Sequence, residues 1–355
     1  MKARYAKYFL KFIRPAGTSR GILYEKESYF IRIEDEVSNQ YGIGECGLLR
    51  GLSFDDRLNY EAILIQTLKD FNSGKTWDDI KPTLQEWPSI FFGIETAMKS
   101  LYASDPFALF DNSFSQGRAG IEINGLVWMG DFEFMSRQIE EKIHKGYNCI
   151  KLKIGALDFE KELALIQKIR KSYAVSDIEI RMDANGAFLI RDALDKLKEL
   201  SKYQIHSIEQ PIAPKQHRAM AQLCLASPIP IALDEELIGV IERANKESLL
   251  ETIKPAYLIL KPSFLGGFEA TSEWINLAKE RSIGYWLTSA LESNIGLNAI
   301  SQYAYSLASS IPQGLGTGSL YSNNIPSPLH IVKNHICINS DAKWDLSQLK
   351  WIDVC

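Results

Sequence analysis

The feature that most constrains the fold is a repeat between residues 148 and 267, in which each short apolar run ends in a charged side chain. These charged residues are Lys151, Lys153, Asp183, Glu209, Asp234 and Lys261. From Lys153 onward they follow one another at intervals of 25 to 30 residues, the length of a strand, a helix and two short loops. Charged residues at the ends of successive parallel strands meet on one face of a barrel. The repeat therefore predicts a parallel barrel with one polar site.

The alternation of strand and helix patterns extends over most of the chain after residue 120. We predict strands at 121–128, 149–154, 178–183, 205–209, 230–234, 256–261, 284–289 and 312–316. We predict helices at 131–145, 157–171, 191–202, 215–226, 242–253, 268–282 and 293–309. Parallel strands joined by right-handed crossovers close at eight. The predicted fold class is α/β, a modified (β/α)7β barrel of the TIM type.

The first 110 residues have a different pattern, in which short strands are followed by helices. We predict a strand over 4–14, a turn at Pro15–Ser19, two strands within 21–34, one strand over 40–46, and helices at 55–71, 77–84 and 89–104. This order is typical of an α+β domain. The expected division is a capping domain at 1–110, a barrel at 111–326, and a tail at 327–355 that returns to the cap.

Composition and charge exclude several functional classes. The net charge of −4 gives no reason to expect a polyanionic partner, and no nucleic-acid motif is present. The start of the chain lacks the apolar core of a signal peptide, and no run approaches the roughly 18 apolar residues of a membrane span. The five cysteines form no Cys-x-x-Cys pair, which argues against a zinc site or disulfide framework. We expect a cytoplasmic protein with no nucleic-acid or membrane partner, and the oligomeric state stays open.

Three acids on neighbouring strand ends, Asp183, Glu209 and Asp234, are candidate metal ligands. Carboxylates that converge without a cation repel one another and bind protons more tightly, and a hard divalent ion removes this conflict. Oxygen ligands with no nearby His or Cys favour Mg²⁺ over zinc, and Mn²⁺ accepts the same ligands. Taken singly, each acid could instead be a helix cap or a surface residue.

Three lysines complete the candidate site. Lys151 and Lys153 are two residues apart on a strand, so both are expected to point into the barrel mouth, with Lys261 across from them. Two ammonium groups near a bound cation disfavour a further positive charge, which lowers the proton affinity of one lysine and permits a neutral amine. A divalent ion on a substrate carboxylate stabilises the dianion left when the adjacent carbon loses its proton. Considered without the other residues, the lysine pair could instead be exposed to solvent, and Lys261 could instead form an ion pair with no role in catalysis.

Over nearly its whole length the chain resembles the enolase superfamily, in the muconate lactonizing enzyme subgroup that carries Lys-x-Lys on the second strand and a lysine on the sixth. The matching segments are Lys151-Leu-Lys153, Asp183-Ala-Asn-Gly186, Glu209-Gln-Pro211, Asp234-Glu235 and Lys261-Pro262. The resemblance implies that Asp183, Glu209 and Asp234 ligate Mg²⁺. It also implies that Lys153 is the base, assisted by Lys151, and that Lys261 is the opposing cation.

Within this subgroup the chain is most similar to the o-succinylbenzoate synthases, because residues 289–296 and 314–321 resemble their seventh- and eighth-strand loops. The resemblance implies Mg²⁺-dependent dehydration of 2-succinyl-6-hydroxy-2,4-cyclohexadiene-1-carboxylate, through an enolate, to the menaquinone precursor 2-succinylbenzoate. Expected substrate contacts are Asn185, Ser289, Leu291, Gly316, Thr317 and Arg50. The cap loop 47–53 is expected to close over this carboxylate substrate, with Arg50 at the succinyl carboxylate.

Two neighbouring residues are given structural interpretations. His206 precedes Glu209 by three residues and should face away from the barrel mouth. Glu235 follows a predicted ligand, should point to the other side of its strand, and is expected to support the ligands rather than to bind the metal.

Two alternative functions stay open. The first is an N-succinylamino acid racemase or a dipeptide epimerase of the same subgroup, because lysines on both faces also permit proton transfer between the two faces of a carbon. Dipeptide epimerases carry an Asp-x-Asp motif at the eighth strand, and residues 314–324 contain no acid. The second is a catalytically silent barrel that binds a ligand, against which the complete set of acids and lysines argues.

Overall fold

The computed structural model describes residues 1–18, 21–155 and 157–354. The strands are β1 (Lys2–Thr18), β2 (Gly21–Asp35), β3 (Gln40–Cys46), β4 (Ile121–Glu122), β5 (Gly125–Val127), β6 (Cys149–Lys153), β7 (Glu179–Asp183), β8 (Ser207–Glu209), β9 (Ile231–Leu233), β10 (Tyr257–Leu260), β11 (Gly284–Leu287), β12 (Leu329–Val332), β13 (His335–Ile338) and β14 (Ile352–Asp353). The α-helices are α1 (Tyr60–Asn72), α2 (Trp77–Ile80), α3 (Pro88–Leu101), α4 (Phe132–His144), α5 (Phe159–Ser172), α6 (Ile190–Ser201), α7 (His217–Ala226), α8 (Arg243–Ile253), α9 (Pro262–Leu265), α10 (Gly267–Glu280) and α11 (Asn294–Ser306). Short 3-10 helices lie at Lys81–Leu84, Glu235–Leu237 and Gly316–Leu320. No helix of the described chain is long and apolar enough to cross a membrane.

The cap consists of an antiparallel sheet in the order β14-β1-β2-β3 with helices α1 to α3 beside it. Helix α3 packs directly on β3, and a Cβ atom added to Gly42 would lie 1.9 Å from the carbonyl oxygen of Ala97. Glycine at this position therefore permits the backbone of the strand to touch the helix. The apolar side chains of both layers, such as Ile31 and Ile94, form the buried core of the cap.

The cap differs from its prediction in three places. Residues 21–35 form one strand rather than two. Strand β1 continues through Pro15 to Thr18, where a turn was expected, and the last residue of that predicted turn, Ser19, lies outside the described chain. The register shift between Lys11 and Ala16 accommodates the proline, which has no N–H for the ladder. Helix α1 begins at Tyr60 rather than at residue 55, because the preceding segment forms turns.

The barrel is a parallel sheet in the order β11-β10-β9-β8-β7-β6-β5, with an eighth position that closes it. Gln313 bridges to Ile123, and Gly314 bridges to Thr288, so this closing segment contacts both edges of the sheet. It forms two isolated bridges, which is shorter than the strand predicted at 312–316. The parallel barrel beside an antiparallel cap confirms the predicted fold class.

The first predicted barrel strand, 121–128, is divided in two. Its start, β4, pairs with β13 of the hairpin β12–β13, while β5 pairs with β6 in the barrel. The tail then returns to the cap sheet, where Tyr5 of β1 pairs with Ile352 of β14. The domain limits 1–110, 111–326 and 327–355 stay predictions.

Asp55 joins the cap loop to helix α3. Its Oδ2 atom accepts hydrogen bonds from the backbone N–H of Ser89 at 2.8 Å and from the Ser89 hydroxyl at 2.7 Å. The side chain is fully buried, and burial raises the pKa of Asp55 to about 6 despite these hydrogen bonds. This carboxyl group therefore titrates within the folded cap at a pH where an exposed aspartate is already charged.

We expect Asp55→Asn to stabilise the protein in a pH-dependent way. The folded pKa of Asp55 lies above the unfolded value of about 3.9, so stability is lost as the pH rises from about 4 to about 6. Asparagine keeps an oxygen for Ser89 without the charge, so its gain in the free energy of unfolding should be near zero below about pH 4 and up to about 3 kcal/mol at about pH 8. Urea unfolding at several pH values measures this difference. A gain that does not vary with pH would contradict it.

Candidate active site

The parallel ladders bring the predicted site residues to one rim of the barrel. Lys153 is the ladder partner of Asp183, and Asp183 is the partner of Glu209. Asp234 and Lys261 directly follow the last residues of β9 and β10. Since the strands are parallel, their carboxyl ends lie at the same edge. Five separated sequence segments therefore contribute to one site.

The two candidate acid–base lysines lie on opposite flanks of this site. Lys153 ends β6 and Lys261 follows β10, with β7, β8 and β9 between them in the sheet. In a barrel with eight positions, elements that are four places apart face each other across the mouth. A planar group between these lysines can therefore meet an amine on each face.

The lysines contact the acids directly. The Nζ atom of Lys151 lies 2.9 Å from Asp183 Oδ2 and 2.5 Å from Glu209 Oε2, so one ammonium group bridges two carboxylates. Lys153 Nζ lies 3.1 Å from Asp183 Oδ2, and Lys261 is paired with Asp234. The three carboxylates are buried, so these ion pairs provide their neutralising charge.

The burial and the ion pairs shift the pKa values in opposite directions. Burial raises the pKa of Asp183, but the charges of Lys151 and Lys153 outweigh it and hold this pKa well below its usual range. The pKa of Glu209 is raised by burial and by the charge of Asp183. Burial lowers the pKa of Lys151, but Asp183 and Glu209 outweigh it and raise this pKa overall. The lowered proton affinity was expected for one lysine beside a bound cation and stays a prediction; in this structure the carboxylates dominate the surroundings of Lys151.

The acids are candidate ligands of a divalent cation. In the described chain, no three His, Cys, Asp or Glu side chains are grouped so that they could hold a metal ion, and each of the three acids is paired with a lysine. One buried oxygen, Glu209 Oε1, has no hydrogen-bond partner among the described residues. A buried acceptor with no donor is costly, and a bound cation would satisfy it. The all-oxygen donor set thus fits Mg²⁺.

A cavity of about 390 Å³ opens onto these residues. Its charged lining contains Arg50, Lys151, Lys153 and Lys261, whereas Asp183 is the only acid among the described lining residues. Apolar walls come from the cap and the barrel: Ile22, Leu23, Leu49, Leu52, Leu126, Trp128, Phe264, Trp286, Ala290 and Leu291. A cavity with apolar walls and several convergent charged groups at its base suits a substrate that has a hydrocarbon ring and polar substituents.

Several of these wall residues were missed in the sequence. Trp286 lies two residues before Thr288 on an inward-facing strand, and Trp128 follows β5, so the strand-end argument that located the lysines could also have found them. Ile22 and Leu23 carried no such signal. They belong to strand β2 of the cap, and only the tertiary structure brings them over the barrel.

The predicted substrate contacts all line the cavity. Asn185 Oδ1 accepts a hydrogen bond from Lys153 Nζ at 2.7 Å. The hydroxyl of Thr317 donates to Ser289 Oγ at 2.9 Å, and Gly316 begins the adjacent 3-10 helix. Leu291 has a left-handed backbone with φ of 66°, a strained conformation typical of functional sites. The substrate roles of these residues stay predictions.

Arg50 also lines the cavity, but its guanidinium group is held by the cap. Nε donates to Glu27 at 2.8 Å, and Nη1 donates to Asp56 at 2.8 Å. Burial raises the pKa of Glu27, but the hydrogen bonds from Lys7 and Arg50 outweigh it and lower this pKa overall. Arg50 therefore anchors the cap loop in this conformation, and its contact with a substrate carboxylate stays a prediction.

The contacts of Glu235 differ from the direction expected for its side chain, whereas those of His206 agree with its structural interpretation. Glu235 was expected to point away, but its Oε1 accepts from Asn185 Nδ2 at 2.9 Å and its charge helps to raise the pKa of Lys261. The strand ends at Leu233 and a 3-10 helix begins at Glu235, so strand alternation does not apply there. The His206 ring packs 5.1 Å from Tyr257 and is not among the described cavity residues, as its structural interpretation requires.

A protein-family model described as "Enolase C-terminal domain-like" matches residues 135–339. The o-succinylbenzoate synthase of Desulfotalea psychrophila is 43% identical over 93% of this chain and 97% of that protein. The crystal structure of MenC from the same organism has a TM-score of 0.81 at 40% identity, and the match covers 95% of this chain and 99% of that one. A dipeptide epimerase from Cytophaga hutchinsonii, solved with Mg and a dipeptide, has a TM-score of 0.84 at 20% identity over 100% of this chain and 99% of that one. This last likeness shows the fold alone.

We expect Lys151→Met to destabilise the protein in the presence of EDTA. The substitution removes the ammonium group shared by Asp183 and Glu209 and leaves buried negative charge without its partner. The free energy of unfolding should fall by about 3–5 kcal/mol. Urea unfolding at neutral pH measures it. Lys202→Met is the control, because Lys202 pairs with Glu199 at the surface and should leave stability unchanged; equal effects of the two substitutions would contradict the prediction.

Proposed function

The chain belongs to the enolase superfamily and, within it, to the o-succinylbenzoate synthase family of lyases, and on that premise we propose that it dehydrates 2-succinyl-6-hydroxy-2,4-cyclohexadiene-1-carboxylate to 2-succinylbenzoate for menaquinone biosynthesis. The observation that supports the proposal most directly is the placement of Lys153 and Lys261 on opposite flanks of a cavity with apolar walls. The lysines are paired with the three acids, and a cation held by those acids would leave the lysines to face the carboxylates of a substrate.

We propose Mg²⁺ as the cofactor, held by Asp183, Glu209 and Asp234. Members of this superfamily generally use Mg²⁺, and the buried oxygen Glu209 Oε1 without a hydrogen-bond partner favours a cation at these acids. When bound, the ion stabilises negative charge on the substrate carboxylate. Mn²⁺ meets the same ligand chemistry.

Lys153 is the proposed base. In its neutral form it takes the proton from the ring carbon next to the carboxylate, and that C–H electron pair becomes part of a new ring double bond. The C–O bond to the hydroxyl then breaks, the hydroxide receives the proton from Lys153, and water and an aromatic ring result. Asn185, at 2.7 Å from Lys153 Nζ, orients the amine. Lys151 supplies positive charge beside the base.

Lys261 lies on the other flank and places an ammonium group against the opposite face of the planar intermediate, where a cation–π contact is favourable. The apolar walls from Leu23, Leu49 and Trp286 exclude water from the ring. The N–H of Gly314 donates to the Leu287 carbonyl at 2.8 Å, so the proposed backbone donors for an anionic end of the substrate are those of residues 315–318. The cytoplasmic location stays part of the proposal.

A second candidate is racemisation of N-succinylamino acids or epimerisation of dipeptides. The observation that favours it is the placement of Lys153 and Lys261 on opposite flanks, since a proton can leave one face of a carbon and return to the other. A dipeptide has a cationic amino group, however, and the described cavity wall beyond Asp183 contains no acid to pair with it. Dehydration therefore fits the cavity better. A silent barrel would show neither reaction.

We expect the Mg²⁺-loaded protein to convert the cyclohexadiene substrate to 2-succinylbenzoate, followed by the ultraviolet absorbance of the aromatic product. Lys153→Ala should lower kcat by about 100- to 10,000-fold, because a general base contributes that much. Lys202→Ala is an exposed-lysine control that should keep wild-type kinetics. Deuterium exchange and inversion of an N-succinylamino acid without any 2-succinylbenzoate would instead establish the second candidate.

We expect Mg²⁺ to stabilise the wild-type protein, independently of turnover. A ligand at about 100 times its Kd raises the free energy of unfolding by about 2.7 kcal/mol. Asp234→Asn should remove most of this gain, because it takes away one proposed ligand. Thermal unfolding with EDTA and with increasing Mg²⁺ measures both proteins. The ligand assignment fails if the two proteins respond equally to Mg²⁺.

A further inference from the structure

We propose that Glu292 is a positioning residue of this active site, which holds three segments of the cavity wall in one arrangement. The inference rests on the proposed function, because it concerns how the groups of that reaction are placed. Glu292 lies between β11 and α11, beneath the cavity wall, and its side chain is fully buried. It does not line the cavity and therefore acts through its neighbours.

The first segment held by Glu292 carries Lys261. The hydroxyl of Ser263 donates a hydrogen bond to Glu292 Oε1. Ser263 is part of the short helix α9, whose residues Phe264 and Leu265 donate backbone N–H groups to the Lys261 carbonyl at 2.9 and 3.1 Å. The backbone of Lys261 and the Ser263 hydroxyl therefore belong to one rigid turn. Glu292 fixes this turn against the loop that follows β11.

The second and third segments are held through Ser289. Glu292 Oε2 accepts from the Ser289 hydroxyl at 2.7 Å and from the Ala290 backbone N–H at 2.7 Å. Ser289 Oγ in turn accepts from the Leu291 N–H at 2.9 Å and from the Thr317 hydroxyl at 2.9 Å. The wall segments after the seventh and eighth strand positions are thereby connected to the same carboxylate.

The direction of these hydrogen bonds follows from the groups at each end, because a backbone N–H can only donate and a carboxylate oxygen accepts. Ser289 Oγ is therefore an acceptor from Leu291, and Oε2 of Glu292 is an acceptor from Ala290. The Glu292 carboxylate accepts, so the hydrogen of Ser289 points to Glu292 and that of Thr317 points to Ser289. These two hydroxyl oxygens of the wall therefore keep fixed orientations.

Two residues of the cap, Gly47 and Lys26, lie in the surroundings of the Glu292 carboxylate. A Cβ atom on Gly47 of the cap loop would lie 2.8 Å from Glu292 Oε1, so only glycine allows the loop to rest on this carboxylate. Burial is the largest effect and raises the pKa of Glu292. The charge of Lys26 and the hydrogen bonds from Ser263 and Ser289 lower this pKa in part, whereas the charge of Glu45 raises it further. Lys26 is itself buried and lies 3.9 Å from Glu45.

Glu45 offers a matched control at the same interface between cap and barrel. It is also fully buried and accepts hydrogen bonds from the Ser28 hydroxyl, from the Ser293 N–H and hydroxyl, and from the Gly296 N–H. None of these donors lines the described cavity. Both carboxylates stabilise the contact between cap and barrel, but only Glu292 is bonded to the cavity wall.

The test compares Glu292→Leu, Glu292→Gln, Ser263→Ala, the double variant Ser263→Ala/Glu292→Gln, and Glu45→Gln as folded, Mg²⁺-loaded proteins. We expect Glu292→Leu to lower kcat/KM by about 100-fold, the cost of a wall displaced by about 1 Å. Glu292→Gln should recover only part of this loss: its amide oxygen can still accept from Ser289 and Ala290, but its amide nitrogen cannot accept from Ser263, and a measurable loss remains. Glu45→Gln should lower the Tm but leave kcat/KM as in the wild type.

A double-mutant cycle on kcat/KM separates positioning from general stability. If Ser263 acts on Lys261 through Glu292, the double variant should lose less than the product of the two single losses. The proposal is overturned if these losses multiply, or if folded Glu292→Leu keeps wild-type kcat/KM. Should Glu292→Leu not fold, the cycle with Glu292→Gln decides alone. If the wild type forms no 2-succinylbenzoate, the proposed function fails, and the same variants are compared by deuterium exchange into N-succinylamino acids.

Discussion

Buried charge at the carboxyl ends of the barrel strands is the constraint on which the rest of the structure depends. Asp183, Glu209 and Asp234 are each at most 2% exposed, and carboxylates in such surroundings must be paired. Lys151 bridges two of them and Lys261 meets the third. The arrangement requires that strands β6 to β10 keep their register, since a shift by one residue would turn these side chains out of the barrel.

The charge balance also explains why a cation is part of the proposed chemistry. An ammonium group that bridges two carboxylates does locally what a divalent ion does, but it leaves Glu209 Oε1 without a donor among the described residues. A divalent cation held by the acids would take over this neutralising role, and the lysines would then be available to a substrate. The pKa of Lys151 is raised because Asp183 and Glu209 outweigh the effect of burial.

The cap supplies the part of the cavity wall that the barrel does not provide. Strand β2 and the cap loop supply Ile22, Leu23 and Leu49 to the cavity, while Arg50 is anchored by Glu27 and Asp56. Glu45 of the cap accepts hydrogen bonds from Ser293 and Gly296 of the barrel and joins the two parts beneath this apolar cover. The proposed ring substrate would have the charged groups below it and hydrocarbon around it, in a family whose curated relatives include a 43% identical o-succinylbenzoate synthase.

The sequence by itself determined the strand ends. A charged residue after each apolar run reflects a local rule, the alternation of side chains along a strand, and that rule located Lys153, Asp183, Glu209, Asp234 and Lys261. The same rule failed at Glu235, because the chain had already left the strand for a 3-10 helix. Strand limits were least predictable where pairing partners are distant, as in the division of residues 121–128 between two sheets.

Only the tertiary structure decided which groups meet. The pairing of Arg50 with Glu27, the cover from β2, and the bond from Ser263 to Glu292 join segments that are far apart in sequence. Periodicity records whether a side chain faces inward, but not which of many inward partners it contacts. That choice depends on how the cap and the barrel pack together, which no local pattern encodes.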